Sequence, residues 1–189
     1  MKTTNFLISM ALILLITHSL YAQKKLGLYL SKEDYMNHKI SYFSNGQNGI
    51  RIKLNEFLGS KFVIVRNEGK KQLIAKSSIF GYSLDNKDYR YFKNQPFRIE
   101  DTSGFYLYSS LQRIEVGKWA KPQKFYFFSV KPNSPILSLS IPKLEDEYFS
   151  YTAFIDALES SFKADKELSV YDKNHRALKI KYLYKKYAL

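Results

Sequence analysis

From about residue 40 to residue 130, apolar and polar side chains alternate in short runs, the period of strands half-buried in a sheet. Ile50-Arg51-Ile52-Lys53-Leu54 shows it most plainly. Residues 61–66 and 72–75 flank Asn67-Glu68-Gly69-Lys70, the chemistry of a hairpin turn. Further strands are predicted at 40–44, 80–84, 89–92, 97–100, 105–116 and 124–130, with 117–123 as a loop. Asn45-Gly46-Gln47-Asn48-Gly49 and Asp85-Asn86-Lys87-Asp88 supply turns, since Asn, Asp and Gly tolerate or bond the backbone geometry a turn requires. Turn signals spaced roughly 8–12 residues apart point to an antiparallel meander, barrel or sandwich.

Helical periods appear at the two flanks. Ser31 followed by Asp34 has the form of a capping box and predicts a short helix to about residue 38. Pro132, Pro135 and Pro142 break the strand pattern around residues 136–141. Beyond them Phe154, Ala157, Leu158, Ser161 and Phe162 share one face of a helix predicted over 149–162. Residues 172–189 satisfy both periods. Leu178, Ile180, Tyr182 and Tyr184 alternate, whereas Ile180, Leu183, Tyr184 and Tyr187 fit a helix, and helix is the favoured reading. The predicted fold class is therefore α+β: an antiparallel β-rich meander or barrel-like sheet followed by C-terminal helices. No linker or composition break divides residues 23–189, which read as one domain whose helical segment begins at about 149.

The first 22 residues follow a different logic. Lys2 supplies a positive start, residues 6–16 an apolar core, and Thr17-His18-Ser19-Leu20-Tyr21-Ala22 a polar stretch ending in a small residue. That is the plan of a cleavable secretory signal peptide. The apolar core falls well short of the roughly 20 residues that span a bilayer. The sequence contains no Cys, which rules out both lipid attachment through a cysteine and a disulfide framework. The expected location is the periplasm or the medium.

Charge adds a constraint on partners. The net charge is +13, and the predicted leader removes one Lys and no acid. Such a balance favours acidic partners: an anionic glycan, a lipid surface or an envelope protein. A solubilising basic surface is the plainer alternative. Export argues against nucleic acid. With 16 Tyr and 14 Phe against 8 Gly and 5 Pro, the chain has ample apolar mass for a core.

Four stretches carry a resemblance: Leu54-Asn55-Glu56-Phe57-Leu58-Gly59, Ser78-Ile79-Phe80-Gly81-Tyr82, Tyr89-Arg90-Tyr91-Phe92, and Val170-Tyr171-Asp172-Lys173-Asn174-His175. They resemble a group of secreted proteins of Gram-negative bacteria with no assigned function. The resemblance implies an exported α+β domain and brings no catalytic residues with it.

Enzymatic motifs are missing. His38 and His175 are the only histidines beyond the leader, and no HExxH or CxxC spacing could hold zinc. Gly81-Tyr82-Ser83-Leu84-Asp85 lacks the second glycine of a nucleophile elbow. Glu100 and Asp101 are adjacent, but neighbouring strand residues point to opposite faces. No cofactor or metal is therefore expected. What remains is aromatic and basic. Tyr89 and Tyr91 share a strand face, as do Tyr106 and Tyr108. Arg90, Arg98, Lys118, Lys121 and Lys124 lie nearby in sequence, with Trp119 in the intervening loop. Such a surface can stack on sugars and pair with anions, or the same rings can pack beneath the helices. Lys179, Lys181, Lys185 and Lys186 form a second basic cluster on the tail. The expectation is a non-enzymatic exported protein that binds an acidic partner; an envelope-directed hydrolase and a structural envelope subunit stand as alternatives.

Overall fold

The computed structural model describes residues 25–56, 59–116 and 119–188; the predicted leader lies outside them. In chain order the elements begin with β1 (Leu26–Tyr29), α1 (Lys32–Met36) and β2 (Tyr42–Ser44). Next come β3 (Arg51–Lys53), β4 (Phe62–Asn67) and β5 (Lys70–Ala75). A run of hairpins follows: β6 (Gly81–Leu84), β7 (Lys87–Phe92), β8 (Gln95–Asp101), β9 (Tyr106–Val116) and β10 (Trp119–Ser129). The chain ends with β11 (Leu137–Ser138), α2 (Ile141–Tyr148), α3 (Thr152–Ser161), α4 (Asp165–Leu168), β12 (Tyr171–Asp172), β13 (Ala177–Leu178) and α5 (Lys179–Tyr187). The fold is α+β, an antiparallel sheet followed by helices.

Eight strands form one open sheet in the order β11-β10-β9-β8-β7-β6-β1-β2, while β3-β4-β5 make a separate small sheet. Turn chemistry drives the hairpins. Glu68 and Gly69, Asp85 and Asn86, and Lys93 and Asn94 all have positive φ, the backbone of two-residue turns whose twist matches that of the flanking strands. Gly81 is required for a different reason. A Cβ there would lie 1.9 Å from the Tyr89 carbonyl oxygen.

Alternation divides the large sheet into two faces. On one face Leu28, Tyr82 and Tyr91 meet Val63, Val65 and Ile79 beneath the small sheet. Farther along the same face, Leu107 and Phe128 meet Phe154, Leu158, Leu168 and Ile180 beneath the helices. The opposite face is covered by Tyr35 of α1, against Tyr29 and Phe80, and by Ile136, against Phe97 and Tyr108.

Several sequence expectations need correction. β1 lies between β6 and β2, although its four-residue pattern went unread. Residues 119–123 are not a loop: Trp119 opens β10, which pairs with β9 along its whole length. Pro142 lies past the strand pattern, as expected, but it opens a helix rather than a loop. It occupies the first turn of α2, where its missing N–H is costless, so the helices begin at Ile141 rather than about 149. The ambiguous tail uses both periods in turn, a short β12–β13 hairpin and then α5. The capping box holds: Ser31 Oγ accepts from Asp34 N–H at 3.0 Å, and Asp34 Oδ2 accepts from Ser31 N–H at 3.2 Å.

Candidate functional site

Between the small sheet and the helices, part of the large sheet is left uncovered, and a groove crosses it there. Register assembles the floor: Tyr89 lies opposite Arg98, Arg98 opposite Ser109, and Leu111 opposite Lys124. One section of about 500 Å³ is lined by Tyr89, Arg98, Ser109, Lys124 and Lys87. A section of about 650 Å³ adjoins it, sharing Glu56, Pro96 and Leu111 and adding Lys61, Lys76 and Lys93. Local structure explains the added lysines. Lys93 sits in the β7–β8 turn, and the Lys76 N–H donates to the Lys61 carbonyl at 2.8 Å, which ties the two strand ends together.

Glu100 anchors the floor. Lys124 Nζ lies 2.7 Å and Arg98 Nη2 3.5 Å from its carboxylate, and Ser109 Oγ donates to it at 2.6 Å. Burial pushes the Glu100 carboxyl up, but the Lys124 and Ser109 hydrogen bonds and the two positive charges outweigh it, so the group sits below its ordinary value. The same contact, with Tyr126, lifts Lys124 against the opposing effect of burial. A carboxylate so tied has no proton to donate at neutral pH and is a poor general acid. Arg98 Nε is buried and finds no partner among the described residues.

At the far wall Glu56 accepts from the Tyr91 hydroxyl at 3.5 Å. Burial foremost, then Glu56, raises the Tyr82 and Tyr91 phenols, which stay neutral. Burial lowers Lys76, whose ammonium lies 5.3 Å from the Tyr91 ring centre.

The expectation that Glu100 and Asp101 face opposite ways is overturned by a β-bulge. Register shifts between Ile99 and Asp101, so that Asp101 rather than Glu100 lies opposite Leu107. An extra residue in a strand re-aims its neighbours, and both carboxylates line a single cavity of about 280 Å³ beside Lys124 and Lys181.

The sequence-selected surface divides sharply. Tyr89, Arg98 and Tyr106 are half-buried, and only the first two face the groove. Trp119 is exposed at the far end of the β9–β10 hairpin. Arg90, Tyr91, Tyr108 and Lys181 are buried and cannot form a binding surface. Arg90 donates to the Tyr108 hydroxyl (3.1 Å), Ser129 Oγ (3.4 Å) and the Ser134 carbonyl (2.8 Å), which locks the opposite face of the sheet. Lys181 points inward from α5 to the Ser103 and Phe105 carbonyls, with Asp101 Oδ1 at 3.3 Å and the Phe105 ring centre at 4.1 Å. The tail cluster is therefore Lys179, Lys185 and Lys186, all exposed. The groove lysines 61, 76, 87 and 93 escaped the sequence reading because they come from separate strands and turns and share no local pattern.

A second cavity of about 500 Å³ holds Ser103, Asp101 and His175. His175 Nδ1 lies 2.8 Å from Asp172 Oδ2 and its ring stacks on Tyr182. The Ser103 hydroxyl, however, donates to Asp101 at 2.6 Å, so it is not poised on the histidine as a nucleophile would be. Among the described residues no cluster of His, Asp and Glu suits a metal ion, and no helix is long and apolar enough to cross a membrane. Comparison with protein-family models, with curated proteins and with solved structures finds no match to this chain.

Proposed function

We propose that the protein is exported and acts in the bacterial envelope without catalysis, holding an acidic glycan in the groove across its sheet. One observation carries the reading. Lys61, Lys87 and Lys93 are exposed along the groove and face only Glu56 among its lining carboxylates, while Arg98 and Lys124 are held on Glu100 in the floor. A concave site with that balance concentrates anions. The Arg98 side chain is partly exposed in the floor, and charge-assisted bonds from a guanidinium to carboxylate or sulfate are the strong ones. Tyr89, half-buried in the floor, presents a ring on which a sugar can stack.

Calorimetric titration with a uronic-acid oligosaccharide and its neutral counterpart tests the proposal. Binding should favour the acidic chain and weaken with salt. Lys87 and Lys93 make no internal ion pair among the described residues, so the double variant K87Q/K93Q should lower affinity by about tenfold or more while leaving the fold intact. Equal binding of the neutral chain, or an unchanged affinity in the variant, would sink the reading.

A further inference from the structure

The small sheet turns a second surface outward, away from the groove floor. Its inner residues Ile52, Val63, Val65 and Ile74 pack on the large sheet. Its outer residues follow from register. Arg51 lies opposite Arg66, and Arg66 opposite Lys71, a row of three cations straight across the sheet. The adjoining row is Lys53, Ile64 and Leu73, and Phe62 stands beyond it. All four cations are exposed, as are Phe62 and Leu73, at 45% and 55%. Among the described residues none of the four cations lies within ion-pair distance of a carboxylate.

Like charges placed directly opposite one another destabilise a sheet, and an acidic residue at either neighbouring position would relieve the strain. The sheet carries none there. Its apolar side chains are also left in water beside the cations. Both features suit a partner that supplies negative charge and an apolar layer just beneath it.

We propose that this outer face docks on the surface of an anionic lipid bilayer, with Arg51, Lys53, Arg66 and Lys71 among the headgroups and Phe62 and Leu73 dipping below them. Basic side chains gain favourable energy at such a surface, and amphipathic faces bury their apolar groups at the headgroup boundary. A hydrated polysaccharide would satisfy the charges but offers nothing to Phe62 and Leu73.

The test uses residues 23–189 and vesicles of phosphatidylcholine with or without phosphatidylglycerol. Binding should require phosphatidylglycerol and fall with salt. R51Q/R66Q/K71Q should reduce partitioning at least about tenfold. K143Q/K163Q/K166Q removes the same charge from the helical side and should change it little, and so should K87Q/K93Q in the groove. In a Trp119→Phe background, Phe62→Trp reports insertion. Its emission should shift to the blue on anionic vesicles and be quenched by brominated acyl chains. Circular dichroism confirms that each variant folds. Equal losses from the two triple variants would reduce the effect to net charge and overturn the proposal. Vesicle binding without a blue shift, matched by equal binding to a soluble anionic polysaccharide, would overturn it in favour of a glycan surface.

Discussion

One face of the large sheet carries two roofs of different construction. The helical roof closes over Phe105, Phe128, Tyr148, Phe154 and Tyr184, a cluster of rings meeting mostly edge to face at centre distances of 5.1–6.5 Å. The small sheet closes over Val63, Val65 and Ile79, a thinner aliphatic layer against Tyr82 and Tyr91. Large rings bury more area per residue and gain a further increment from their geometry. The helical half is therefore expected to carry the larger share of the stability. The other half leaves cations unpaired and a groove open, and it is there that both proposed contacts lie. Stability and binding are assigned to opposite ends of one sheet.

Core truncations sharpen that contrast most. Phe128→Ala should cost about 3–5 kcal/mol, because it removes a fully buried ring shared by the sheet and the helices. Val63→Ala, equally buried, removes two methyl groups and should cost about 2 kcal/mol. Denaturant unfolding of the two variants measures the difference. Equal losses would mean that the two roofs contribute alike.

Lys181 offers a test within the helical half. Burial lowers its pKa and Asp101 opposes that effect, while its ammonium satisfies two carbonyls of the β8–β9 loop. Lys181→Met should cost about 2 kcal/mol by orphaning those acceptors. Lys185→Gln and Lys186→Gln, on the exposed side of the same helix, should stay within about 0.5 kcal/mol. Similar effects at all three positions would show that Lys181 belongs to the surface after all.

The way these residues sort explains what could be read from the chain. Strands β2 to β10 are legible in the chain because most of them alternate between covered and exposed positions. β10 was seen only from Lys124 onward, since Trp119-Ala120-Lys121-Pro122-Gln123 is exposed throughout and has no apolar face to register. Pro122 is tolerated there at the rim of the sheet. β1 escaped because four residues carry too little pattern. In the groove, Tyr89 and Arg98 were legible as an aromatic and basic pair. Arg90 looked identical in sequence, yet alternation turned it to the opposite face, beside Phe80 and Tyr108. A one-residue bulge, invisible to any periodicity, brought Glu100 and Asp101 into one cavity. Whether a lysine near either end of a strand faces a groove depends on which strands become neighbours, and that is tertiary information.

The smallest expected effect concerns acid. Glu100 has its carboxyl pKa lowered in the folded protein, so it contributes stability above the ordinary carboxylate value of 4.5 and loses that contribution as pH falls through the lowered one. Its partners Arg98 and Lys124 are 39% and 40% exposed, which screens the pairing and limits the contribution to about 1 kcal/mol or less. Glu100→Gln removes the titration but keeps an acceptor for Ser109. Near neutral pH the variant should be slightly less stable than the parent, and the gap should close below pH 4.5 as the parent protonates. The same substitution frees Arg98 and Lys124 for a ligand. Affinity for the acidic oligosaccharide should then rise a few-fold even as stability falls. That opposition separates an ion pair that restrains a binding site from one that merely braces the sheet. If affinity and stability fell together, Glu100 would be a brace, and the groove would lose its claim to be the tunable end of the molecule.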